Sequence, residues 1–321
     1  MKPFARLFAC VALCAASACA QAAYPDHPIR LIVPFPPGGN IDATGRIIAK
    51  GLTEQFGQSV IVDNRPGAAG ILGSEIVARS PADGYTMLLA STGALAPAKA
   101  LNPDLKLNVE KDFVAASPIA RAPLLLVVSP SLPVHSVAEF IAYAKQQPGK
   151  LTVASSGTGT AAHLTAELFQ SASGTKLLHV PYKGSSEAVA DLLGGHVDLT
   201  FDQLASTLPQ INAGKLRALG VTTSARSSVV PQIPTLAESG LPGFESSTTT
   251  GLLLPAGTPQ QIIDKINTAM QQVLNSAETR RQFGDLGSDV LTGSGSDFDR
   301  IIKTETEKWT KVIQDAHITL R

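Results

Sequence analysis

From residue 29 onward, short runs of β-branched and aliphatic residues alternate with longer segments whose apolar positions recur every three to four residues. That rhythm predicts a wound α/β fold rather than a sandwich. Ile29 to Val33 reads as the first strand. It runs into Pro34-Phe35-Pro36-Pro37-Gly38-Gly39-Asn40, after which Ile41, Ile48, Leu52 and Phe56 fall at helical spacing, with Asn40 placed to cap the helix. Val60 to Val62 then predicts a strand, Gly70 to Ala78 a helix, and Thr86 to Ala90 a strand that ends in Ser91-Thr92-Gly93. A connection with little period follows to about Pro118.

Leu124 to Val128 begins a new set of strands, and Ser136 with Glu139 forms a capping box for a helix that stops at Pro148-Gly149. Strand Leu151 to Ala154 leads through Ser155-Ser156-Gly157-Thr158-Gly159-Thr160 into a helix carrying Leu164, Leu168 and Ala172. Leu177 to Val180 leads through Pro181-Tyr182-Lys183-Gly184-Ser185-Ser186 into a helix from Glu187 to Leu193, and Val197 to Phe201 ends on Asp202. After Leu216 to Val221, a Pro-, Ser- and Gly-rich stretch up to Pro242-Gly243 reads as a return linker. Glu245 to Leu254 is the returning strand. Thr258, Pro259 and Gln261 open a helix with Ile262, Ile266, Met270 and Val273 on its buried stripe, and a last helix from Asp297 to His317 should bury Phe298, Ile301, Trp309 and Val312. The pattern divides the chain into lobe 1 (23–123 and 245–321) and lobe 2 (124–244), with a ligand cleft between them.

The first residues follow a different pattern. Lys2 and Arg6 precede an apolar run from Leu7 to Ala20, which ends in Ala20-Gln21-Ala22. Residues 1–22 therefore read as a secretory signal peptide, too short for the roughly 20 apolar residues of a membrane span. All three cysteines, Cys10, Cys14 and Cys19, lie inside it, which leaves the mature chain without thiol chemistry. Ala16-Ser17-Ala18-Cys19 also loosely resembles a lipoprotein site, the alternative in which Cys19 is retained and acylated. With 26 basic and 26 acidic residues and 16% charged, there is no single-sign field for nucleic acid, and 5% aromatics argue against base-stacking grooves. A small solute and a monomeric chain are the expectation.

In open α/β sheets, ligands bind beyond the carboxyl ends of strands, where loops feed helix N-termini with free N–H groups. The Pro-Pro-Gly-Gly loop reads either as an ordinary tight turn or as a preorganised anion loop. Asp42 suits the start of a helix but would repel a ligand anion unless it points away, so it reads as a helix-start residue, with direct contact to the ligand as the alternative. Gly157-Thr158-Gly159-Thr160-Ala161-Ala162 superficially meets a dinucleotide fingerprint, but His179 stands where a ribose-binding acid is needed, and an exported protein has no dependable nicotinamide pool. A second anion loop is preferred, and no cofactor is expected. His163, His179 and His196 lack metal spacing, and Gly293-Ser294-Gly295 is too short for a nucleophile elbow, so neither a metal site nor a catalytic set is expected. His163, one turn into its helix, joins the candidate ligand set. Asp202 at a strand end either faces the ligand, accepting from an amine, hydroxyl or water, or serves as a structural cap. Lys183 reads as a positive contact or an exposed loop residue. The candidate ligand-binding residues are Phe35, Pro36, Gly38, Gly39, Asn40, Ser91, Thr92, Ser155, Ser156, Gly157, Thr158, His163, Lys183, Gly184 and Asp202.

These motifs carry a resemblance. Tyr24-Pro25-Asp26, Pro34-Phe35-Pro36-Pro37-Gly38-Gly39, Asp63-Asn64-Arg65-Pro66-Gly67-Ala68 and Asp83-Gly84-Tyr85-Thr86 stand in order, as do Pro181-Tyr182-Lys183-Gly184, Gly194-Gly195-His196-Val197-Asp198, Gly214-Lys215-Leu216-Arg217-Ala218 and Pro255-Ala256-Gly257-Thr258-Pro259. Across the mature chain the sequence resembles the Bug family, the extracytoplasmic receptors of tripartite tricarboxylate transporters. The resemblance implies a type II periplasmic-binding-protein fold of two α/β lobes joined by two hinge crossings, a periplasmic location, and a non-enzymatic role in capturing a small mono- or dicarboxylate. It implies that main-chain groups of Phe35 to Asn40, with bridging waters, hold the carboxylate, and that the loops Ser155 to Thr160 and Lys183 to Ser186, with Asp202, complete the cleft. Membrane permease subunits are the implied partners; presentation of ligand to a membrane sensor kinase is the alternative. Where relatives often have an aromatic residue, this chain has Ser246-Ser247-Thr248-Thr249-Thr250, which points to a more polar or roomier pocket.

Overall fold

The computed structural model describes residues 24–315 and 318. The signal-peptide and lipidation readings, and His317, lie outside the described residues. Strands β1 (Ile29–Val33), β2 (Val60–Asn64) and β3 (Thr86–Ser91) alternate with helices α1 (Asn40–Phe56), α2 (Ile71–Ala78) and α3 (Thr92–Leu101). A short α4 (Val109–Asp112) then leads into β4 (Phe113–Val128). Next come α5 (Val137–Gln146), β5 (Thr152–Ser155), α6 (Ala161–Ser173), β6 (Leu178–Pro181), α7 (Ser185–Leu193), β7 (Leu199–Gln203), α8 (Leu204–Asn212) and β8 (Arg217–Val221). The chain closes with β9 (Ser247–Pro255), α9 (Gln260–Asn275), α10 (Ala277–Asp285), β10 (Asp289–Val290) and α11 (Gly295–Asp315).

The sheet order is β2-β1-β3-β9-β4-β7-β5-β6, with β8 and β10 also on β4. β4 serves both lobes. Its residues up to Pro123 pair antiparallel with β9, whereas Leu124 to Val128 pair with β7 on one side and β8 on the other. The second crossing runs from Thr222 through Ser246, whose N–H donates to the Thr222 carbonyl at 2.8 Å, into β9. Thr222 ties the two crossings together: its hydroxyl lies 3.0 Å from both the Leu124 N–H and the Leu124 carbonyl, and 2.7 Å from the Ser246 carbonyl.

Each lobe buries both faces of its sheet, as the period of two in its strands dictates. Ile29, Leu31 and Val33 of β1 face Ile48 and Leu52 of α1 and Ile266 and Met270 of α9, while Ile32 faces Val77 of α2 and Phe298 of α11. In lobe 2, Leu124, Leu126 and Val128 meet Phe140 of α5 and Phe169 of α6; Leu125 and Val127 meet Val189 and Leu192 of α7. A fifth apolar cluster joins the lobes, with Ala96 of α3 and Trp309 and Ile313 of α11 packed with Leu164 of α6.

Several features depart from the sequence pattern. Asn40 is the first residue of α1 and not its cap, which is Gly39. The stretch before Pro118 holds α3 and the first part of β4. Pro97 inside α3 obscures the helical pattern. In β4, Pro118 and Pro123 mask the strand pattern, and its register against β9 shifts at Ala115/Ser117 and Pro118/Ala120. The buried stripe of α11 is Phe298, Ile302, Trp309 and Ile313, so Ile302 and Ile313 replace the expected Ile301 and Val312, which are half-buried. One residue around a helix is 100°, and both neighbours are apolar at each place, so periodicity alone does not choose between them.

Candidate ligand-binding cleft

The cleft lies where strands β1, β3, β5, β6 and β7 deliver their loops. Helices α1, α3, α6, α7 and α8 begin there on Gly39, Ser91, Thr160, Gly184 and Gln203, and none has a side-chain cap. Away from the cleft, α4, α5 and α10 are capped by Asn108, Ser136 and Ser276. A missing cap costs ~1 kcal/mol. At the cleft, that cost leaves first-turn N–H groups and the positive ends of helix dipoles turned toward the space between the lobes.

The lining mixes apolar side chains with hydroxyls, amides and one carboxyl, and among the described residues it carries no cation. Phe35, Pro36, Pro37, Gly39, Asn40 and Ile41 form the first wall with Ser91, Gly93 and Thr248. Ser156, Thr160 to Ala162, Gly184 to Ser186, Asp202 and Gln203 face them, with Leu124 at the crossing. The walls touch. A Cβ on Gly184 would come within 3.0 Å of the Pro36 ring, and one on Gly93 within 2.6 Å of the Ala161 methyl, so only glycine permits this approach.

Behind the first loop stands a brace. Asn64 Nδ2 donates to the Phe35 carbonyl (3.0 Å) and to Asp42 Oδ1 (2.9 Å), and Asp42 Oδ2 accepts the Gly38 N–H (3.1 Å) and Arg46 Nε (2.9 Å). Burial disfavours the Asp42 anion, but the hydrogen bonds from Arg46, Asn64 and Gly38 outweigh it and hold the carboxyl below its ordinary range. Asp42 thus stays charged while its oxygens point to the brace, and it is not part of the cleft lining.

Asp202 is in the opposite situation. It is 4% exposed; its Oδ1 accepts Ser185 Oγ (2.9 Å) and the Gln203 N–H (2.7 Å), while its buried Oδ2 has no protein donor. Burial, only partly offset by those two bonds, pushes its carboxyl up to about 6. Among the described residues, Asn40 Oδ1 and Thr248 Oγ1 are likewise buried without a partner, and both residues line the cleft.

Of the sequence-derived candidates, the fold brings Phe35, Pro36, Gly39, Asn40, Ser91, Ser156, Gly184 and Asp202 to the cleft lining. The others stand behind or beside it. Gly38, at φ +93°, gives its N–H to Asp42, and the Thr92 hydroxyl accepts the Thr249 N–H at 3.0 Å. Ser155 is tied to His179 Nε2 (2.6 Å) and shapes the turn by contacting the Gly157 carbonyl (3.1 Å) and N–H (3.2 Å). Thr158 lines a neighbouring depression with Ala68, Ala69 and Ala94. Lys183 is exposed. His163 stacks on His179 at 4.0 Å and accepts the Gly159 N–H on Nδ1 (3.1 Å), so it buttresses the second loop from behind. Burial, with His179 nearby, pushes His163 down to about 4, and burial does the same to His179, so both rings are neutral. Gln203, Ser185, Ala161 and Ala162 entered the lining as first helical residues or caps after strand-end loops, a position readable from sequence. Thr248 is the one residue of the Ser246–Thr250 segment in the lining; Thr250 Oγ1 instead donates to the Ala120 carbonyl at 3.3 Å.

Residues 44–318 match the family model described as the tripartite tricarboxylate transporter family receptor. The chain belongs to that receptor family. Among members of the receptor family, the protein BugT of Bordetella pertussis is 38% identical over 299 residues, covering 93% of this chain and 92% of BugT, in keeping with the Bug resemblance in the motifs. A solved structure of Rpa4515 from R. palustris with adipate superposes with a TM-score of 0.89 at 38% identity, over 92% of this chain and 99% of that one. MatC from Rhodopseudomonas palustris with bound malate gives 0.86 at 31% identity, over 90% of this chain and all (100%) of that one. The receptor family's fold, the type II periplasmic-binding-protein architecture of two lobes and two crossings, is the fold of this chain.

Proposed function

We propose that this receptor captures a small mono- or dicarboxylate in the periplasm, closes its lobes over it and hands it to the membrane permease of a tripartite transporter. The observation that carries the proposal is the convergence of uncapped helix N-termini on a cleft without a cation. Such a site holds an anion by N–H groups and helix dipoles alone. Adipate in one relative and malate in another fit the same chemistry. Lobe closure is the state the permease reads. The role requires export, which residues 1–22 would direct as a cleaved signal peptide, and no catalytic step.

Titration calorimetry of the purified mature protein against succinate, malate, adipate, citrate, glutamate and nicotinate tests the reading. Saturable binding of at least one acid, with a raised melting temperature, is expected. Silence across the series would overturn it.

A further inference from the structure

Asp202 Oδ2 has a consequence beyond anion binding. A carboxylate oxygen only accepts hydrogen bonds, and this one is buried against the cleft with no protein donor. Ser185 and Gln203 both serve the other oxygen, and among the described residues no Lys, Arg or His lines the space to offset the charge. The missing donor comes from what occupies the cleft, a water or a group of the ligand itself, and a ligand group that displaces the water makes this oxygen a point of selection. An ionised plain dicarboxylate offers only acceptors, and a second carboxylate set beside Asp202 adds repulsion. An acid bearing a hydroxyl or ammonium group supplies the donor.

We propose that the cleft selects carboxylates that carry a hydrogen-bond donor, a hydroxyl or an ammonium, and that Asp202 Oδ2 is the acceptor that reads it. The proposal rests on the carboxylate-receptor reading above. Burial raises the Asp202 carboxyl only to about 6, so at pH 7.5 it is mostly ionised and acts as an acceptor. Thr248 Oγ1, unpartnered on the facing wall, is a donor for the ligand's own carboxylate.

Calorimetry at pH 7.5 with matched sets decides the matter: succinate, malate and aspartate; glutarate, 2-hydroxyglutarate and glutamate. In each set that binds, a donor-bearing member should exceed the plain diacid at least tenfold, about 1.4 kcal/mol. Comparison of the hydroxyl and ammonium members tells which donor is preferred. In Asp202→Asn, Ser185 and Gln203 keep an oxygen on their side and turn the amide NH2 toward the ligand, so the preference should vanish or reverse. Plain diacids binding as tightly as their substituted partners, or a preference that survives Asp202→Asn, would overturn the proposal and leave the receptor reading standing. If no acid binds, both fall. The wild-type ratio decides on its own if the variant does not fold.

Discussion

At the residue scale, the cleft stores polar atoms that folding by itself would not retain. A buried, unpaired Asp202 opposes stability at neutral pH. Its carboxyl is raised in the folded chain, so the protonated form is the one folding favours. Its contribution is intact below the ordinary 3.8 and is lost as pH rises through about 6. Asp202→Asn should therefore melt higher than wild type at pH 8, by roughly 3 to 6 °C for a chain of this size, with the gap closing toward pH 4. Thermal melts across that range check it; a lower melting temperature at pH 8 would contradict it. His163 and His179 act in the opposite sense. Their lowered values make stability present above 6.5 and lost as pH falls toward about 4, so both proteins should weaken in acid, Asp202→Asn more steeply. Asn64 acts from behind the cleft through the Phe35 carbonyl and Asp42. Asn64→Ala removes two hydrogen bonds, ~1 kcal/mol each, and should weaken ligand binding about tenfold while circular dichroism stays unchanged. Unchanged affinity would show that the loop holds its shape without the brace.

At the element scale, the five helices that begin at the cleft lack side-chain caps, as α2 and α9 also do, whereas α4, α5 and α10 keep theirs; at the crossings, the Thr222 hydroxyl works beside the Thr222 N–H, which donates to the Leu124 carbonyl at 2.9 Å. Thr222 serves the Leu124 and Ser246 backbone where both strands change lobe. Thr222→Val keeps the shape and deletes these bonds, leaving the Leu124 N–H without its hydroxyl partner. It should destabilise the protein by ~1–3 kcal/mol in urea denaturation; a smaller loss would mean that the crossings are held mainly by their strand pairing. Strands are legible in the sequence where β-branched runs stand between turn residues, as in β1, β5 and β7. β4 is not, because its alanines and prolines lack strand character and its conformation is imposed by β9 on its flank. Helix α8, between Asp202 and Leu216, leaves no clear periodicity because Pro209 interrupts its nine residues.

At the scale of the whole molecule, the two lobes meet at the cleft rim and again in the cluster of Ala96, Leu164, Trp309 and Ile313. Trp309 is the chain's only tryptophan and 1% exposed, with its indole N–H on Glu305 at 3.0 Å. If ligand drives closure, this contact forms with it. Intrinsic fluorescence should then change in intensity and shift toward the blue on saturation with a bound acid, and Leu164→Ala should blunt the response. A spectrum indifferent to saturating ligand would place the closing movement elsewhere.

The sequence by itself determined the alternation of strands and helices, the strand-end positions of the Gly- and Ser-rich loops, and the balanced charge that excludes polyanionic partners. These follow from local periodicity and composition, which neighbouring residues carry among themselves. Tertiary structure decided which loop residues turn toward the cleft. Gly38, Thr92, Ser155 and His163 sit in or beside the right loops, yet each spends its polar groups on the scaffold. Thr248, from a strand far along the chain, supplies an unpartnered hydroxyl. The direction of a side chain or an N–H is fixed by the competing donors and acceptors that surround it, and those arrive from segments the local pattern does not see.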